Sequence, residues 1–149
     1  MSEHHAAVTW KRETPDFKKE TYNREHTWTF KDGLTLPASA APEYKGKPKH
    51  ADPEEAFTAA VAGCHMLTFL AIAAMQGYSV AEYTDEPVGI LEKNAEGKLM
   101  MTKITLKPRA TFDGEKQPSA EELKALHENA HKHCFIANSV RSEIVVDAG

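Results

Sequence analysis

One stretch constrains the fold more than any other: residues 52–77, DPEEAFTAAVAGCHMLTFLAIAAMQG. Asp52 is placed to cap a helix, Pro53 suits its first position, Glu54 and Glu55 put negative charge in its positive first turn, and Gly77 supplies a stop. Between these ends Phe57, Val61, Met66, Leu67, Phe69, Leu70, Ile72 and Met75 place apolar groups on nearly every face. A helix has such a pattern when protein surrounds it, so the spacing predicts a long, buried, central helix. Thr58, His65, Thr68 and the many alanines make it too weakly hydrophobic for a membrane span, and no membrane partner is expected. Cys64, one of only two cysteines in the chain, sits in its middle.

A chain of 149 residues with 41% apolar content has the size of one globular domain, spanning 1–149, with enough apolar side chains for a sizeable core. The formal net charge of −4 and a pI near 6.1 leave no basic footprint, which speaks against a nucleic-acid partner. The first ten residues, MSEHHAAVTW, have neither the basic start nor the apolar run of a secretory signal. The expected compartment is therefore the reducing cytoplasm, where a permanent structural disulfide does not persist.

Around the helix the chain reads mostly as strands. Residues 8–12 begin a short alternating strand and 13–19, with Pro15, form a loop. From 21 to 30 the alternation puts Tyr22, Arg24, His26, Trp28 and Phe30 on one face, so Arg24 is aimed inward. Lys31-Asp32-Gly33 favours a hairpin turn with its return strand at 34–36. Residues 37–51, with three prolines and Gly46, form a long loop of the kind that often carries function. After Gly77 two strands, 81–92 and 98–112, flank the turn residues 94–97 as a second hairpin. Ser119 and Glu122 make a capping box that opens a helix through Leu123, Leu126 and Ala130 towards His133, with Cys134 at its end. A turn at 135–138 and a strand at 140–146 close the chain. Strands, long helix, strands, helix and strand make an α+β protein with segregated antiparallel sheets.

The chemistry lies in a few residues. The two cysteines are either inert core groups or a redox pair. A thiolate in the middle of a helix gets little from the helix N-terminus, so reactivity at Cys64 calls for a nearby cation. Arg24 is the choice on strand facing, with Arg12 as the alternative, and Glu54 is a suitable carboxylate to pair with the buried guanidinium. The stretch His127-Glu128-Asn129-Ala130-His131 matches the H-E-x-x-H pattern of zinc hydrolases on a predicted helix. Such a site needs a third ligand, and only Glu143 and Asp147 follow as acidic candidates.

Asp52-Pro53-Glu54-Glu55 followed by Ala62-Gly63-Cys64, and Ala130-His131-Lys132-His133-Cys134 followed by Asn138, resemble the two cysteine motifs of the OsmC/Ohr family of thiol peroxidases, OsmC-like branch, over nearly the whole chain. Asp52 replaces the asparagine of the first motif, and Phe135 stands where many members have proline. The resemblance implies an OsmC-like fold, antiparallel sheets around a long buried central helix, in an intertwined homodimer. It also implies reduction of organic hydroperoxides without a cofactor or metal. Cys64 would then be the peroxidatic residue and Cys134 the resolving one, with Glu54 orienting the arginine and a dithiol reductant, such as a lipoylated protein, completing the cycle. The competing classes are a zinc hydrolase using His127 and His131, and a non-catalytic dimer that binds small apolar ligands.

Helix geometry adds an expectation about assembly. Glu54 and Cys64 are about ten residues apart, so a continuous helix separates them by roughly 15 Å along its axis. Charge interactions weaken with distance and solvent screening, so the two do not share a site within one subunit. A homodimer with antiparallel central helices, brought close at Ala59, Ala60, Ala62 and Gly63, would supply Glu54 and Arg24 to the partner's Cys64.

Overall fold

The computed structural model describes residues 1–149, with eight strands, two α-helices and three single-turn 3₁₀ segments. The chain folds as two compact units, residues 1–56 and residues 57–149.

The first unit is built on an antiparallel meander of β1 (Ala7–Thr9), β2 (His26–Thr29) and β3 (Thr35–Ala38). Asp32 and Gly33 turn β2 into β3 with φ of 55° and 73°, the left-handed backbone for which an Asp-Gly pair is suited. The strand expected over 21–30 forms only from His26. Upstream, local hydrogen bonds compete with a ladder. The N–H groups of Thr21 and Tyr22 both donate to the Lys18 carbonyl at 3.0 Å. Asn23 accepts from the Glu13 N–H at 2.8 Å and donates to the Lys11 carbonyl at 2.9 Å, while Trp10 Nε1 donates to the Asn23 carbonyl at 2.7 Å. The loop 37–51 is tied at both ends: the Ser39 N–H donates to the Ala51 carbonyl at 2.8 Å, and Ala38 bridges Ala51 in parallel.

The long helix α1 (Pro53–Met75) opens in this unit, capped as expected by Asp52, whose Oδ1 accepts the Glu55 N–H at 2.8 Å. It runs unbroken through Gly63 into the second unit. There a single stripe is buried, Thr58, Val61, Ala62, His65, Phe69 and Ala73, at helical spacing. Burial on nearly every face is therefore not met within one chain: Leu67 is 65% exposed, and Ala59, Ala60, Ala71 and Ala74 are exposed with it. By length and composition α1 could cross a membrane, its most apolar 18 residues having a mean hydropathy of 1.8. Its buried stripe nevertheless packs on protein.

The expected second hairpin forms, but each arm is cut where a proline removes a ladder donor. β5 (Val88–Lys93) pairs with β6 (Leu99–Leu106) around the turn at Asn94, and β4 (Val80–Thr84) pairs with β7 (Arg109–Phe112). Pro87 and Pro108 lie at the breaks, where Asp85 Oδ1 accepts the Lys107 N–H at 2.7 Å. The second helix, α2 (Ala120–His133), has the predicted capping box, with Ser119 and Glu122 exchanging bonds of 3.1 Å. β8 (Glu143–Val146), shorter than the 140–146 expected, lies parallel to β6, so this one sheet is mixed. One core cluster joins Phe69 and Ala73 of α1 to Leu126 and Ala130 of α2, and a second joins Val61 and Ala62 to Ile104 and Leu106 of β6. A Cβ at Gly89 would collide with Thr58 Oγ1, so glycine there lets α1 lie close to β5.

Candidate active site

Helical spacing brings the thiols together. Leu126, Ala130 and Cys134 follow at intervals of four, and the first two pack on α1, so the end of the same α2 face carries the cysteine. Cys134 leaves helical geometry at ψ 116° and ends α2. Both cysteines are free; Cys64 is half-buried and Cys134 is 1% exposed. The Cys134 sulfur accepts the Ala137 N–H at 3.4 Å. Burial, and after it a hydrogen bond with Cys64, push the Cys134 thiol up to about 11. Cys134 therefore keeps its proton at neutral pH. The pair consists of an accessible sulfur at Cys64 and a shielded, protonated thiol in contact with it.

Beside this pair lies a polar contact that sequence reasoning missed. His65 Nε2 and His127 Nδ1 are 3.0 Å apart, the rings are parallel within 3°, and His127 stacks on Phe69 at 4.4 Å between centroids. Both are almost fully buried, and burial lowers each to about 4, so at neutral pH one ring donates its N–H to the other. The available signal was the position of His65 on the stripe of Val61, Phe69 and Ala73. Of the H-E-x-x-H pair, His127 contacts His65 and Phe69 while His131 is exposed, and both line one cavity of about 560 Å³. No group of three or more His, Cys, Asp or Glu side chains converges to hold a metal ion, so the hydrolase pattern lacks its third ligand.

Arg24 and Glu54 belong to the first unit. Arg24 precedes β2, so strand alternation does not orient it as expected. Its Nη2 donates to the Lys19 carbonyl at 2.6 Å, its Nη1 to the Tyr22 carbonyl, and its guanidinium lies 3.6 Å above the Tyr22 ring. A hollow of about 340 Å³ lined by Trp10, Phe17, Tyr22, Arg24, His26 and Pro53 adjoins it. Glu54 is half-buried in the first turn of α1, and Arg12 is exposed.

An α+β fold with a long helix that carries one thiol in its middle, met by a second at the end of the next helix, defines a class of two-cysteine proteins. The chain belongs to the OsmC-like family: residues 46–148 match the family model described as OsmC-like protein. An OsmC-like protein of unknown function from Vibrio cholerae is 48% identical, with 99% of each chain covered and a TM-score of 0.95. At fold level the chain is also similar to an organic hydroperoxide resistance protein from Elizabethkingia anophelis (18% identity, 98% and 93% of the two chains covered, TM-score 0.73). It is likewise similar to the organic hydroperoxide resistance protein OhrB of Bacillus subtilis (22% identity, 96% and 95% covered, TM-score 0.66). No curated protein matches the sequence. These two likenesses show a shared fold, and the expected α+β, OsmC-like fold is the one observed.

Proposed function

We propose that the protein is a thiol-dependent organic hydroperoxide reductase working in the cytoplasm, with the 149 residues acting as one OsmC-like domain. The observation that carries this reading is the hydrogen-bonded contact between half-buried Cys64 and buried, protonated Cys134. Cys64 sulfur attacks the O–O bond of ROOH, the bond breaks, and the products are Cys64 sulfenic acid and ROH. The Cys134 thiol then condenses with the sulfenic acid, forming the disulfide and releasing water. A dithiol, such as a lipoyl group on a protein, returns both cysteines to the reduced state by exchange.

The reading includes a homodimer. The exposed apolar side of α1 at Ala59, Ala60 and Leu67 supports helix-to-helix packing between two copies, since an apolar face of this kind marks an interaction surface. The unbroken helix supports a site that takes Cys64 and Cys134 from one subunit and Glu54 and Arg24 from its partner, because roughly 15 Å of helix separates Glu54 from its own Cys64. The aromatic hollow beside Arg24 would then receive the organic group of the peroxide.

The test is consumption of cumene hydroperoxide with dithiothreitol, followed by mass spectrometry of both cysteines after one equivalent of peroxide. A Cys64–Cys134 disulfide is the expected product, and reduced cysteines alongside consumed peroxide would overturn the assignment. Mixing Cys64→Ser with Glu54→Ala chains tests the shared site. Heterodimers would carry both lesions in one site and leave the other intact, so activity should return in proportion to heterodimer formed.

A further inference from the structure

The cavity of about 560 Å³ lies between α2 and the end of β8, and neither cysteine lines it. Leu123 on α2 and Ile144, Val146 and Ala148 on and after β8 give it apolar walls, and His127 brings a polar group into it. That group is fixed by the fold. His127 is 4% exposed, its Nδ1 meets His65 Nε2 at 3.0 Å and its ring is stacked on Phe69, so the edge left for the cavity carries Nε2. This nitrogen has no partner within the chain, and unlike His65 Nδ1 it is not sealed away. Apolar space of this size around one fixed polar group is the usual form of a small-molecule site.

The histidine pair sets what Nε2 offers. His65 Nδ1 is buried without a partner. A buried N–H left unpaired is rarer than a buried acceptor left unpaired, so His65 Nδ1 is the bare nitrogen and the His65 proton sits on Nε2. His65 therefore donates to His127 Nδ1, and His127, kept neutral by burial, carries its own proton on Nε2. The cavity thus presents one N–H donor among apolar walls. The charged groups on its lining cancel in sign: Lys124 lies 3.9 Å from Glu128, and Asp147, whose Oδ1 accepts the Gly149 N–H at 3.3 Å, stands against His131. Such a lining favours a ligand with no net charge, and a carbonyl oxygen accepts from a lone donor without bringing a donor of its own. We propose that this cavity binds a neutral, medium-chain aliphatic carbonyl compound, its oxygen accepting from His127 Nε2 and its chain against Leu123, Ile144 and Val146.

The experiment is a titration of the full-length protein with methyl hexanoate, followed by the ring-nitrogen resonances of His127 and the methyl resonances of Leu123 and Val146. Before ligand is added, His127 Nε2 should be the protonated nitrogen of its ring. Methyl hexanoate should then shift this N–H and both methyl groups saturably. Hexanoate and n-hexylammonium should each bind at least about tenfold more weakly, the first because its charge must be desolvated and the second because it has no acceptor. His127→Phe removes the donor and should weaken methyl hexanoate by about fivefold. Ala148→Phe, outside both core clusters, fills the cavity and should weaken it by about tenfold or more. Should His127→Phe fail to fold, Ala148→Phe and the comparison of the three ligands in the parent protein still decide the matter. A bare Nε2 on His127, an ester that binds no better than the charged ligands, or unchanged affinity in Ala148→Phe would each overturn the proposal. No cysteine lines the cavity, so a failed peroxidase assay leaves this test unaffected.

Discussion

Cys64 and His65 are neighbours in sequence with opposite surroundings. His65 lies on the buried stripe of α1, 1% exposed, locked against His127 and held neutral by burial. Cys64, about 100° further round the helix, is half-buried, and its side chain meets the Cys134 thiol. One helix thus has a side that packs and a side that reacts. The rotation per residue, not the local sequence, decides which role a position takes. Changes to the packing stripe should lower stability and spare the chemistry of molecules that remain folded, while changes on the other side should do the reverse.

The largest effect should come from Cys64. Cys64→Ser should reduce turnover of cumene hydroperoxide by roughly a thousandfold, since a hydroxyl cannot replace the thiolate as nucleophile. The melting temperature should stay within about 2 °C of the parent, the usual range for a small change off the core. A variant that lost stability in parallel with activity would break the division between the two sides.

Phe69→Ala tests the packing side. Phe69 is fully buried between Tyr83, Phe112 and His127, so truncation should cost about 3–5 kcal/mol of unfolding free energy in urea titrations. The fraction that stays folded should still form the Cys64–Cys134 disulfide with one equivalent of peroxide.

Leu67→Glu addresses the exposed apolar side. Leu67 is 65% exposed in the chain, so a charge there should leave the helix content by circular dichroism unchanged. If the proposed homodimer packs on this side, sedimentation should show its dissociation constant raised by about tenfold or more, as expected for a charge placed in an apolar interface. An unchanged dimer would move the interface elsewhere.

The smallest effect is one of pH. His65 and His127 are held at about 4 by burial, below their ordinary value of about 6.5 in the unfolded chain. Between these values the unfolded state binds more protons than the folded one. The contribution of the pair to stability is therefore complete above pH 6.5 and is lost as pH falls towards 4, with no further loss from these groups below that. A fall in melting temperature on the order of 5 °C between pH 7 and pH 4.5 is expected. His127→Gln, which keeps a polar partner for His65, should flatten that dependence while leaving turnover at neutral pH unchanged.

Much of this protein follows from local sequence signals. The caps at Asp52 and Ser119, the turn at Asp32-Gly33, the extent of α1 and the position of Cys134 at the end of α2 are set by short-range hydrogen bonds and backbone preferences, which a sequence states directly. Arg24 shows where such signals stop. Period-two alternation put it on a strand, but Asn23 and Lys18 had closer partners for the backbone, and the strand begins later. His127 was legible as part of a zinc pattern, yet its actual neighbour is a histidine on another helix, and no one-dimensional spacing encodes that contact. Cys64 and Cys134 were identifiable from sequence as candidates for reaction. Their unequal character came only with packing, because a thiol's proton affinity depends on what surrounds it in three dimensions.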